Sequence, residues 1–140
     1  MIYYFIVFNR DSGLLLIDLD YGYLEVDSIR ISGFVSALNS FIKEYFREKI
    51  SRILLIKFDE ISIKLIQILT QLEMLLVYDN DDKYIRFITA KIKDLIYDSK
   101  DLFEKQYENF IAKRKPLGEK ISQLIAKYNK INFKTPKRHF

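Results

Sequence analysis

At 140 residues, 49% hydrophobic and 30% charged, with no cysteine, the chain is sized for one domain and excludes disulfides, thiol catalysis and thiolate metal sites. Its net charge of +4 is unevenly placed: residues 113–140 carry nine basic residues and one acid, for +8, while the remaining 14 basic and 18 acidic residues give −4. A mildly acidic body therefore bears a strongly basic C-terminal part.

Ile2 to Phe8 is an unbroken apolar and aromatic run. It is short for a helix and rich in strand formers, the pattern of a central strand covered on both faces. It falls well short of the roughly 20 residues that span a bilayer and lacks a basic leader and a small-residue cleavage site, so it reads as a strand and not as a signal peptide. Arg10-Asp11-Ser12-Gly13 supplies a turn in which Gly13 can take positive φ, leading into a second strand over Leu14 to Tyr21. There Asp18 and Asp20 share one face and Ile17, Leu19 and Tyr21 the other, which places this strand at a sheet edge.

Asp27 or Ser28 can cap a first helix, whose apolar stripe is Phe34, Val35, Leu38, Phe41, Ile42, Tyr45 and Phe46. Three further strands are expected over Arg52 to Phe58, Ile61 to Leu69 and Glu73 to Tyr78, separated by Asp59-Glu60 and by Thr70-Gln71-Leu72. Asp79-Asn80-Asp81-Asp82 offers caps for a second helix with the stripe Tyr84, Ile85, Ile88, Ile92, Leu95 and Ile96. From Phe103 apolar residues recur at 103, 107, 110, 117, 121, 124 and 128, a heptad-like register that only Arg114 interrupts, with Pro116 predicting two helices or one kinked helix. The chain from Asn129 onward reads as frayed and basic. Phe5, Val7, Leu38, Phe41, Leu76, Ile88 and Ile92 are the expected core, with one antiparallel sheet between helical layers.

No residue set points to catalysis. Asp79, Asp81 and Asp82 fail as a calcium loop of EF-hand type, because Lys83 and Tyr84 stand where an oxygen ligand and a glycine are required. Helix capping and a favourable interaction with the helix dipole account for them more simply. Asp18, Asp20, Glu25 and Asp27 read as a solvated edge and a cap, since paired acids for acid and base work need a pocket that raises one pKa. His139, the lone histidine, has no second ligand nearby in sequence. Gly13, Gly22, Gly33 and Gly118 are too scattered to cradle a phosphate, so neither a cofactor nor a metal is expected. The basic tail, Lys127, Lys130, Lys134, Lys137 and Arg138, admits three readings: a solvated end, contact with anionic lipid, or contact with nucleic acid.

The order strand, strand, helix, three strands, helices resembles the longin domain of the profilin-like group, which also includes roadblock proteins. Locally, "MIYYFIVFNRDSG" resembles the opening of the longin-type small chains of clathrin adaptor complexes, and "DSIRISGFVSALNSFIKEYF" the first helix of small archaeal longin-like proteins. A roadblock protein would begin with a helix, whereas this chain begins with a strand. The resemblance covers residues 1–112, leaving 113–128 as an additional C-terminal helix and 129–140 as a basic tail. It implies an α+β fold with a five-stranded antiparallel sheet in the order 2-1-5-4-3, the first helix on one face and the later helices on the other. It further implies a cytoplasmic, non-catalytic module of membrane trafficking that binds a small GTPase or a partner longin or roadblock protein. A homodimer and a peripheral contact with anionic membrane stay open under this reading. The partner surface expected from it is the exposed side of the first helix, Asn39, Ser40, Lys43 and Arg47. A nucleic-acid binder is the alternative, and would need a basic face on the folded body as well as the tail.

Overall fold

The computed structural model describes residues 1–9, 12–21, 33, 35–37, 40–41, 44, 54–69, 72–104 and 110–132. Five strands, β1 (Ile2–Asn9), β2 (Leu15–Asp20), β3 (Leu55–Lys57), β4 (Ile61–Ile68) and β5 (Leu72–Asp79), are followed by helices α1 (Ile85–Asp98), α2 (Asp101–Glu104) and α3 (Phe110–Asn132). The strands form one antiparallel sheet in the order β2-β1-β5-β4-β3. Strand order, pairing and element order are those that the longin resemblance implies.

The double burial expected of β1 is complete, because Met1 to Phe8 are all at most 3% exposed. Phe5 lies opposite Leu19 of β2 and Leu76 of β5. A register shift between Ile2 and Tyr4 puts Tyr3 and Tyr4 on the same side of the sheet, as a bulge does. From there Phe5 and Val7 face α1 and α3, while Ile6 and Phe8 face the other layer with Val35. Residues 54–68 are a hairpin, not a helix, and the Asp59-Glu60 turn is closed by the Phe58 N–H donating to the Ile61 carbonyl at 2.9 Å. Leu69 (φ 56°) is the one non-glycine residue with positive φ among those described, so the glycine-free Asp59-Glu60 turn does not use a left-handed residue. Asn80 secures that hairpin from outside: its Nδ2 donates to the Phe58 carbonyl at 2.7 Å, its backbone N–H donates to the Glu60 carbonyl at 3.0 Å, and its Oδ1 accepts from Ser62. At the other hairpin Gly13 does take positive φ, 73°, and a Cβ there would lie 3.3 Å from the Gly33 Cα. That close approach docks the β1–β2 turn on the helical layer.

Of the two outcomes expected at Pro116, a single helix, α3, is found. Three other expectations change. Asn129 is not frayed but 8% exposed within that helix. The core stripe of α3 is Leu117, Ile121, Ile125 and Tyr128, with Leu124 only partly buried, because packing follows the 3.6-residue period more closely than a heptad. These residues share one core with α1. Phe41 is 51% exposed. Val35 and Ser36 are the buried members of the described helical residues between 33 and 44, and Phe41 lies roughly 120° from Val35 at 100° per residue, on the margin of the apolar stripe. The expected Asp27 or Ser28 cap and the burial of Leu38 lie outside the described residues.

This packing separates two aromatic truncations. Phe5→Ala should cost about 3–5 kcal/mol. Phe41→Ala should cost less than about 1 kcal/mol. Urea unfolding of the two variants beside the parent chain measures both, and equal losses would contradict the burial pattern.

Candidate functional site

The densest polar constellation sits at the start of β1. Met1 and Ile2 arrive at the end of the sheet where β5 finishes, next to the start of α1 and the last turns of α3. The Met1 ammonium donates to Asp82 Oδ2 at 2.8 Å and lies 3.4 Å from Asp79 Oδ2. Tyr3 donates its hydroxyl to Asp79, and Tyr128 to Asp82. Asn129 closes the cluster by accepting the Ile2 N–H at 2.8 Å and donating to the Ile2 carbonyl at 2.9 Å. Asp79 and Asp82 are 1% and 7% exposed.

The capping role expected of these acids is not what Asp79 and Asp82 do. The α1 N-cap position is Tyr84, which makes no side-chain cap hydrogen bond, and Asp82 reaches only the Tyr84 N–H, at 3.0 Å. Asp79 and Asp82 serve instead as buried partners of a cation that the sequence places some 80 residues away. Burial lowers the pKa of the Met1 ammonium from its ordinary 8.0, with Asp82 and Asp79 opposing the shift. Burial, reinforced by the hydrogen bonds to Asp79 and Asp82, raises Tyr3 and Tyr128 above the ordinary 10.0. These polar groups face one another inside the fold, as the partners of a buried charge do. Among the described residues no group of three or more histidine, cysteine, aspartate or glutamate side chains is placed to hold a metal ion.

At the sheet edge, Asp18 and Asp20 are exposed as expected, and Asp18 also accepts from the Tyr4 hydroxyl at 2.5 Å. Glu25, Asp27 and His139 lie outside the described residues.

Of the partner surface expected on the first helix, Ser40 is described, and Asn39, Lys43 and Arg47 lie outside the described residues. Ser40 is exposed and donates its hydroxyl to the Ser36 carbonyl at 3.1 Å. Ala37, Ser40, Phe41 and Glu44 are all exposed and fall within an arc of roughly 100° on the helical wheel. Sequence periodicity assigned Phe41 to the core and so missed the aromatic on this face. Of the expected anionic-surface residues, Lys127 and Lys130 are exposed on α3 together with Lys115 and Lys120. Lys134, Lys137 and Arg138 lie outside the described residues. No described helix is long and apolar enough to cross a membrane.

No protein-family model matches the chain, and no curated protein matches it in sequence. Solved structures that are similar to it include the gliding protein MglB from Thermus thermophilus, at 10% identity over 90% of this chain and 79% of that one, with a TM-score of 0.45. A structure described as MglB with tetrameric arrangement is 9% identical over 90% and 79% of the two chains, TM-score 0.46. Myxococcus xanthus MglB is 9% identical over 90% and 85%, TM-score 0.43.

The shifted groups fix the pH dependence of stability. Below pH 10 both the folded and unfolded chains keep the protons of Tyr3 and Tyr128. Above it the unfolded chain ionises first, so their contribution is lost as pH rises toward the folded values. The Met1 ammonium works in the other sense: between its lowered folded value and 8.0 the unfolded chain holds more protons, and stability rises with pH. Urea unfolding from roughly pH 6 to roughly pH 11 should therefore show a gain up to about pH 8 and a loss beyond about pH 10. Tyr3→Phe/Tyr128→Phe should be less stable near neutrality yet show a shallower alkaline loss; an unchanged slope would contradict the assignment.

Proposed function

We propose that the chain is a non-catalytic longin-type interaction module that binds a small GTPase or a partner longin or roadblock protein at a membrane. The observation that carries the reading is a sheet of longin order bearing a helical face on which Ala37, Ser40, Phe41 and Glu44 are all exposed. An exposed aromatic flanked by small and charged residues is the composition of a contact surface, where one buried anchor supplies much of the affinity. Asp79 and Asp82 are engaged with the Met1 ammonium and two tyrosines, which supports binding over turnover. Action on a GTPase would then proceed through differential affinity for its nucleotide states and not through a group supplied to the reaction.

Attachment to an anionic membrane through Lys127, Lys130, Lys134, Lys137 and Arg138 belongs to the same reading. Each lysine or arginine near such a surface contributes about 1 kcal/mol, screened over about 8 Å at physiological salt. The exposed lysines of α3 equally suit nucleic-acid phosphates, the alternative reading.

Calorimetry against small GTPases of the native host, loaded with GDP or a GTP analogue, separates the two. We expect nucleotide-dependent binding that Phe41→Ala weakens at least about tenfold, and that Lys43→Glu/Arg47→Glu also weakens, with folding retained. Co-sedimentation with anionic vesicles should be lost at high salt and on truncation after Asn132. Affinity for DNA or RNA with none for any GTPase would overturn the reading in favour of the alternative.

A further inference from the structure

Along α1 and the residue before it, positions 84, 87, 88 and 91 form one helical stripe, and on α3 residues 124, 127 and 128 form another. The two stripes wall a groove of about 360 Å³. Ile88 and Tyr128 are buried at its base, 3% and 9% exposed. Its upper part is apolar and open: Phe87 is 67% exposed and Tyr84 52%. Lys91 and Lys127 are the charged residues of the lining. Both are exposed, and neither forms an ion pair among the described residues. An apolar cleft rimmed by unneutralised cations is complementary to a ligand that is apolar along one side and acidic along its flanks.

We propose that this groove docks a short acidic amphipathic helix of a partner protein. Apolar residues of that helix, at helical spacing, seat against Phe87, Ile88 and Leu124, while its aspartates or glutamates reach Lys91 and Lys127. The volume lies near the lower end of the range for binding pockets, so it takes a few side chains from one or two helical turns and not an extended ligand. Lys127 also belongs to the anionic-surface set proposed above, but a flat anionic membrane fits the groove itself less well than a helix of one or two turns. Asp94 and Asp98 continue the same stripe of α1, both exposed, and would be pressed against the headgroups. This docking site uses different elements from the helical face that carries Phe41, and its existence does not depend on the GTPase reading.

The test is peptide display against the folded full chain, followed by an NMR titration of the chain with a selected peptide. Selected sequences should combine aspartate or glutamate with leucine, isoleucine or phenylalanine at helical spacing, and should shift the resonances of Phe87, Lys91, Leu124 and Lys127. Phe87→Ala and Lys91→Glu/Lys127→Glu alter exposed residues, so each should leave the melting curve unchanged while weakening peptide binding at least about tenfold. A selection that yields no acidic amphipathic sequence, shifts confined to another surface, or binding unaffected by these variants would overturn the proposal. Groove resonances that respond to vesicles containing phosphatidylserine but to no peptide would also overturn it, assigning the surface to lipid.

Discussion

The structure depends on β1 being covered on both faces and fixed at its first residue. A strand with residues 2 to 8 all at 1% exposure or less must have a strand on each side and a helical layer above and below. The sheet supplies β2 and β5 as the neighbours, and the two layers follow from Phe5 and Val7 facing one way and Ile6 and Phe8 the other. Asn129 then ties the backbone of Ile2 to α3 at both its N–H and its carbonyl. The end of the last described helix is in this way joined to the beginning of the first strand. Tyr21 adds a second tie, its hydroxyl donating to the Ser122 carbonyl at 3.3 Å.

The acid cluster at this junction follows from the same geometry. An ammonium taken out of water loses its hydration, and attraction to carboxylates offsets that loss only when the remaining lone pairs and protons are also matched. Tyr3 hydrogen-bonds Asp79 Oδ1, and Tyr128 and the Tyr84 N–H hydrogen-bond Asp82, while Asp79 Oδ2 faces the Met1 ammonium at 3.4 Å without a hydrogen bond. Removing one partner of such a buried set costs about 3–5 kcal/mol, because the other charge stays behind unmatched. The cluster therefore works as an anchor, and among the described residues the exposed surfaces suited to contact are the helical face that carries Phe41 and the groove between α1 and α3.

Local pattern carried the strands well. Ile2 to Phe8 announced its double burial through seven consecutive apolar residues, Gly13 announced its left-handed turn, and the alternation in β2 announced an edge. What local pattern could not carry was proximity. Nothing in Asp79-Asn80-Asp81-Asp82 distinguishes a solvated cap from a buried counter-charge, because the deciding partners are Met1, Tyr3 and Tyr128, each far away in sequence. Phe41 was misjudged for a related reason. An apolar stripe wider than the contact area leaves one margin in water, and periodicity does not say which. Ile125 was missed because a heptad-like register was imposed on a helix that packs against a sheet. The expected partner surface was legible only as a helix face: Ser40 is exposed on it, but the aromatic at its side was hidden in the presumed core.

The most direct test of this account is native-state hydrogen exchange across β1 and α3. If the Asn129 tie and the shared core make these elements one cooperative unit, amides of Ile2 to Phe8 and of Leu117 to Tyr128 should open with the same free energy, equal to that of global unfolding. Opening of α3 at distinctly lower free energy, with the β1 amides still protected, would contradict it.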